Sequence, residues 1–323
     1  MKCTNKHLVV VLFLICIMSL CGCSKKYDIP YDVDSNISAY SISAVGVSNK
    51  VNPFAKNICV VDKDVSPEKA DLSLATSGGL FNKTTAETIY SKSANLRLHP
   101  ASTTKIMTAL LALKYGNLDD VITASKNVEI KEKGAQLCGF KEGDRATLDQ
   151  VLHGLIVYSG NDAGVMIAEY VSGSVEAFAA LMNEEAKAIG ATNTNFTNPH
   201  GLTDEEHLTS AYDLYLIFNE ALKYDKFKEL LNTKEYKSTY TSKNGDAKKL
   251  DFEATNRYLT GKVDTPAGVT VIGGKTGTTE AAGACLVLYS KNEKGEEFVS
   301  VVMDSESPES LYANTSSLLS LER

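Results

Sequence analysis

Two periods of apolar residues alternate along this chain. Between 102 and 115, Ile106, Met107, Ala109, Leu110, Leu111 and Leu113 leave little polar circumference, which predicts a helix buried on most sides. Residues 147–157 (TLDQVLHGLIV) and 162–172 (DAGVMIAEYVS) also have helical patterns and flank the polar 158-YSGN-161. Residues 175–189 (VEAFAALMNEEAKAI) predict an amphipathic helix ending at Gly190, a residue suited to a left-handed C-cap. Further helices are predicted at 210–223 and at about 308–321. Strand patterns lie towards the two ends. Residues 71–81 (DLSLATSGGLF) and 86–91 (AETIYS) predict a hairpin turning at 82-NKTT-85. Residues 268–277, 284–291 and 297–304 predict three successive strands. This order predicts one α+β domain whose sheet joins both ends, with an all-helical part between.

The first residues follow another logic. Leu8 to Leu20 is an apolar run of 13 behind Lys2 and Lys6, too short to span a bilayer comfortably and suited to a signal-peptide core. It ends in 20-LCGC-23, which resembles the lipobox of bacterial lipoproteins, with Gly22 before the cleavage point and Cys23 as lipid acceptor. Cys21 departs from the residues usual at its position, so plain cleavage and an uncleaved anchor stay open. Residues 1–22 are thus expected to be a lipoprotein signal peptide, and 23–66 a polar tether ahead of one folded domain at 67–323. Within the tether, 57-NICVVD-62 is a candidate edge strand. Several buried alkyl chains would anchor the protein to the outer face of the membrane.

Composition narrows the function. The chain has 323 residues, 43% hydrophobic and 23% charged, enough for a real core. Its net charge of −7 falls to −9 when residues 1–22 leave with two lysines and no acid, and no basic block stands out. A nucleic-acid partner is not expected. After Cys23 only Cys59, Cys138 and Cys285 remain. Their odd number and wide spacing indicate neither a disulfide framework nor a zinc site; small buried hydrophobes, or one disulfide among the three, are the open readings. His200 and His207 lie near Asp204, Glu205 and Glu206, but without firm ligand spacing. No metal and no cofactor is expected. His200 is expected to order the turn 198-NPHGL-202, and Asp162 to cap a helix.

Three short motifs carry candidate chemistry. They are Ser102-Thr103-Thr104-Lys105, Ser159-Gly160-Asn161 and Lys275-Thr276-Gly277. Each is weak alone. The first spacing recurs at 66-SPEK-69, and the second at 93-SAN-95, 242-SKN-244 and 290-SKN-292. Ser102 and Lys105, three apart at a helix start, share a face, which fits a nucleophile with its base or a helix cap with a surface lysine. Context decides between them. The motif set is that of penicillin-binding proteins and class A β-lactamases. The stretches 100-PASTTKIMTALLAL-113, 154-GLIVYSGNDAG-164, 193-NTNFTNPHGL-202, 209-TSAYDL-214 and 273-GGKTGTTEAAGACLV-287 carry the resemblance further. Over about residues 68–320 the chain resembles the serine-type D-alanyl-D-alanine carboxypeptidases, the low-molecular-mass penicillin-binding proteins.

The resemblance implies a penicillin-binding, serine β-lactamase-like fold: a five-stranded antiparallel sheet flanked by helices, with a mostly helical subdomain. The C-terminal β domain and C-terminal membrane helix of some relatives are not expected here. It implies Ser102 as nucleophile, Lys105 as general base, Ser159 as proton relay and Asn161 as a substrate and lysine ligand. Lys275, Thr276, Gly277 and Thr278 would form the substrate-binding strand, with the backbone N–H groups of Ser102 and Thr278 as oxyanion hole. The substrate would be peptidoglycan stem peptides ending in D-Ala-D-Ala, and β-lactams would inhibit.

Three alternatives stand beside this. D,D-endopeptidase action uses the same bond chemistry. A class A β-lactamase needs an added glutamate past the second motif, and 190-GATNTNFTNPHGL-202 has no carboxylate. A non-catalytic wall-binding lipoprotein would not need the full set of polar motif residues. Cys23→Ala is expected to abolish labelled-palmitate incorporation in cells and to free the protein from the membrane fraction. Undiminished labelling of that variant would contradict the lipobox reading.

Overall fold

In a computed structural model, which describes residues 57–322, early and late segments of the chain meet in one sheet. β1 (Ala75–Asn82) and β2 (Glu87–Lys92) form the early hairpin, and Asn82 Oδ1 accepts from the turn amides of Thr84 and Thr85. A 3₁₀ turn, Ala101–Thr104, runs into α1 (Lys105–Tyr115). β3 (Val121–Thr123) and β4 (Arg145–Thr147) precede α2 (Leu148–His153), whose end widens into a π turn at Gly154–Tyr158. α3 (Asn161–Ser172), α4 (Val175–Ile189), α5 (Ala211–Ala221) and α6 (Asp225–Asn232) follow. The hairpin β5 (Glu235–Thr241) and β6 (Ala247–Glu253) comes next. β7 (Val269–Thr279), β8 (Gly283–Asn292), β9 (Glu297–Ser305) and α7 (Pro308–Leu319) complete the described residues.

The main sheet has the order β2-β1-β9-β8-β7 and is antiparallel throughout. The period of two divides β8 between two cores. Cys285, Val287 and Tyr289 enter the large core around α1 and α5, while Ala284, Leu286 and Leu288 enter a smaller one beneath α7. Helices cover both faces, so the strand reads as a nearly continuous apolar run. α1 is buried from Lys105 to Ala112. Each fully buried Leu or Ile there contributes roughly 1.5–3 kcal/mol, which fixes the helix that carries the first motif. Side-chain caps set the starts of α4, α5 and α7: Ser174, Ser210 and Ser307 accept from the amides of Ala177, Asp213 and Ser310. Gly190, at φ 95°, closes α4.

Three expectations change. The middle part is not all helical, because it holds a second antiparallel sheet, β3-β4-β5-β6. Tyr240 and Phe252 turn the β5–β6 hairpin inwards, with Tyr240 against Phe140 at 5.1 Å and Phe252 stacked on Tyr158 at 4.7 Å. That places the hairpin behind the YSGN turn. The folded body also begins before residue 67. Cys59 is buried, its N–H donates to Tyr215 Oη at 2.9 Å, and its carbonyl accepts from Tyr212 Oη at 2.9 Å. Residues 57–62 run beside β2 without forming a strand; the nearest pairing is the bridge of Val65 with Ser91. The second S-x-x-K, at 66–69, sits on a lone 3₁₀ turn, Pro67–Lys69, with Lys69 exposed. The signal peptide 1–22, Cys23 and the tether to residue 56 lie outside the described residues.

Candidate active site

Three short segments converge, one from each motif. The first is the 3₁₀ turn that carries Ser102. Ala101 sits at φ 47°, left-handed for a residue with a Cβ, at a cost of about 1–2 kcal/mol. Local bonds hold it there. Thr103 Oγ1 donates to the Pro100 carbonyl at 2.7 Å, and Thr104 Oγ1 to the Ala101 carbonyl at 2.8 Å. Burial pushes His207 down to about 4, so its ring is neutral. Nδ1 accepts from the Thr197 amide at 3.0 Å, which leaves the proton on Nε2, 2.8 Å from Thr104 Oγ1. The two central threonines of STTK therefore brace the turn. Gly201, at φ 86°, packs so closely that a Cβ there would lie 1.8 Å from the Ala101 carbonyl oxygen.

Lys105 follows within one turn. Its Nζ lies 2.8 Å from Ser102 Oγ, 2.6 Å from Asn161 Oδ1 and 2.6 Å from the His200 carbonyl. Burial, and then the charge of Lys275, hold its pKa well below the usual lysine range. A neutral amine has two N–H donors and one lone pair. The Asn161 and His200 oxygens take the donors, which leaves the lone pair for the Ser102 proton. Every group is then satisfied with Lys105 uncharged. His200 contributes through its backbone; burial pushes its ring down to about 3.

The second segment is the end of the π turn. Ser159 is left-handed at φ 71°, which turns the chain so that Asn161 opens α3. Tertiary bonds replace regular ones: Gly160 N–H donates to the Gly154 carbonyl and Asn161 N–H to the Gln136 carbonyl. Asp162 is not the cap, because Gly160 occupies that position. Instead its buried carboxylate accepts from the amides of Cys138, Gly139 and Phe140, tying the 136–140 loop to the motif. The third segment is β7. Lys275 is fully buried, its Nζ 2.9 Å from Ser159 Oγ and 2.8 Å from the Thr276 carbonyl. Burial pushes it down to about 7.

These segments line a cleft of about 910 Å³. Ser102, Ser159, Asn161, Thr276, Gly277 and Thr278 face it, while Lys105 and Lys275 lie behind its wall. Gly277 also has a packing role: a Cβ there would lie 2.8 Å from Ser102 N, 2.9 Å from Thr103 N and 3.0 Å from the Pro100 carbonyl oxygen. The strand thus touches the Ser102 turn directly. The sequence reading missed Gln136, Thr255, Arg257 and Tyr312, which also line the cleft. Arg257 pairs with Glu309 at 3.1 Å and packs over the Tyr312 ring. No spacing marks these residues. A polar segment between β6 and β7 was the one available signal.

The fold is that of the penicillin-binding D,D-peptidases, and its three converging motifs line one cleft. The chain belongs to the D-alanyl-D-alanine carboxypeptidase family, whose profile residues 65–307 match. It is 38% identical over 253 residues to the D-alanyl-D-alanine carboxypeptidase DacF of Bacillus subtilis, covering 76% of this chain and 61% of that protein. It is 32% identical over 275 residues to DacC of Escherichia coli, covering 82% and 64% respectively. The matches thus take in less than two thirds of either relative's length. The crystal structure of the Streptomyces K15 DD-transpeptidase superposes with a TM-score of 0.71 at 28% identity, covering 77% of this chain and 96% of that one.

Gly277→Ala is expected to cost about 1–3 kcal/mol, because its methyl group meets three backbone atoms of the 100–103 turn. Urea unfolding measures this; a loss under about 0.5 kcal/mol, the range of surface substitutions, would contradict the close packing of strand and turn.

Proposed function

We propose that this protein is a serine D,D-carboxypeptidase that removes the terminal D-alanine from peptidoglycan stem peptides through an acyl-serine intermediate. The observation that carries the reading is the buried Lys105 amine 2.8 Å from Ser102 Oγ, in a cleft that Thr276 and Thr278 also line. Ser102 Oγ attacks the carbonyl carbon of the penultimate D-Ala as its proton passes to Lys105. The backbone N–H groups of Ser102 and Thr278 take the oxyanion. The peptide C–N bond breaks as Ser159 hands a proton to the leaving D-Ala nitrogen. The proton that Ser159 gives up is replaced by the one Lys105 took from Ser102, so both amines end the step as they began; Lys275, bonded to Ser159, supplies positive potential for the substrate's terminal carboxylate. Thr276 and Thr278 hydroxyls bind the carboxylate, and Asn161 holds both a substrate amide and Lys105. Water then attacks the ester carbonyl, its proton returning to Ser102 Oγ through the same amine.

A β-lactam offers a strained amide beside a carboxylate and acylates the same serine. The segment 190–202 lacks the carboxylate with which a class A β-lactamase activates water for rapid release, so the adduct leaves slowly. The family match and the relatives' names support cell-wall peptide as substrate class. Residues 1–22 act as a lipoprotein signal, Cys23 carries the lipid, and the catalytic body works outside the membrane at the end of a tether.

Free D-Ala is expected from a pentapeptide faster than cleavage of a cross-linked dimer; the reverse order would move the reading to endopeptidase. Ser102→Ala should lose both D-Ala release and fluorescent-penicillin labelling. A group with a lowered pKa is neutral above it, so acylation should rise with pH as Lys105 loses its proton, with a midpoint well below 10.5. A rate flat until that pH would refute Lys105 as base.

A further inference from the structure

We infer that Thr255 is a positioning residue for the substrate's terminal carboxylate, acting through Thr276; the inference rests on the carboxypeptidase reading above. Thr255 belongs to the segment between β6 and β7, outside all three motifs. Its Oγ1 lies 2.6 Å from Thr276 Oγ1, and both residues line the cleft.

Two hydroxyls in contact have two ways to share their protons. A carboxylate removes the choice, because it only accepts. When it occupies the cleft against Thr276, the Thr276 proton points at it. The Thr276 oxygen then accepts from Thr255. Protons run one way: Thr255 to Thr276 to carboxylate. The upstream donor polarises the Thr276 hydroxyl and strengthens the bond it makes. It also keeps that hydroxyl from rotating among competing partners, so less order is lost on binding.

The segment is built to hold Thr255 still. The Arg257 amide donates to Tyr312 Oη at 2.9 Å. Tyr258 Oη donates to the Tyr312 carbonyl at 3.1 Å and lies 2.7 Å from Ser316 Oγ. The Tyr258 amide donates to Asn256 Oδ1 at 3.1 Å, and the Ala254 amide to the Lys234 carbonyl at 2.8 Å. α7 and the start of β5 thus clamp a stretch that has no regular structure. Thr255 itself is exposed, so replacing it does not open the core.

The carboxylate is bound in the ground state and the transition state alike, and it is not the reacting group. Loss of its positioning residue should therefore raise KM and spare kcat. The test is D-Ala release from a peptide ending in D-Ala-D-Ala by purified full-length protein. Thr255→Val, close in shape, is expected to raise KM about three- to tenfold with kcat unchanged, as for loss of one hydrogen bond. Its unfolding temperature should not move. Thr255→Ser should restore KM. An unchanged KM in Thr255→Val, an equal fall in kcat, or a serine variant no better than valine overturns the inference while wild-type activity stands. Wild-type protein that releases no D-Ala overturns the carboxypeptidase reading, and this inference with it.

Discussion

A primary amine held away from water, 2.8 Å from a serine oxygen, is the constraint around which the site is arranged. In water such an amine is protonated and has no lone pair to offer. Burial reverses this, because an ammonium ion loses its hydration inside the protein. The reversal is useful only if the neutral amine is not left with unsatisfied donors. Asn161 and the His200 backbone meet that need, each at 2.6 Å. The two residues come from segments far apart in sequence, so this environment for the amine exists only when the fold is complete. Lys275 adds a second buried amine whose charge opposes protonation of the first.

The fold meets this demand by pressing three irregular segments together. A 3₁₀ turn with a left-handed alanine, a π turn ending in a left-handed serine, and an edge strand meet at the cleft. Each is braced from outside. His207 and Thr104 hold the first, Asp162 and the 136–140 loop the second, and β8 with both cores the third. α7, packed beneath the sheet, also reaches the cleft through Tyr312 and fixes the wall that carries Thr255 and Arg257. Local strain at the serine and the lysine's buried amine are thus supported by the same scaffold.

Much of this was legible in the sequence, for physical reasons that differ by element. Helices α1, α4 and α7 announce themselves because long periodic runs and caps act locally. β8 and β9 do so because both faces are apolar. The motif residues were legible because their types and order are restrictive. The second sheet was not read. β3 and β4 have three residues each, too few to show a period. The β5–β6 hairpin does carry an Asn244-Gly245 turn and alternating Tyr236, Tyr240, Leu250 and Phe252, but lysines and serines between them dilute the signal. The roles of Thr103, Thr104, His207 and Asp162 were hidden for another reason. Each acts on a partner distant in sequence or on a backbone carbonyl whose exposure depends on the turn. Gly277 was read only as part of the substrate-binding strand, whereas its first neighbour is the Ser102 turn itself.

The site rests on a Lys105 amine that gives up its proton well below the usual lysine range, because it is buried beside Lys275. The direct measurement is the titration of the Lys105 side chain by carbon-13 NMR on lysine-labelled protein, the signal assigned by its loss in Lys105→Gln. The account predicts a midpoint well below 10.5, moving upward in Lys275→Met, where the neighbouring charge is gone. A Lys105 that titrates at or above 10.5, indifferent to Lys275, would contradict it.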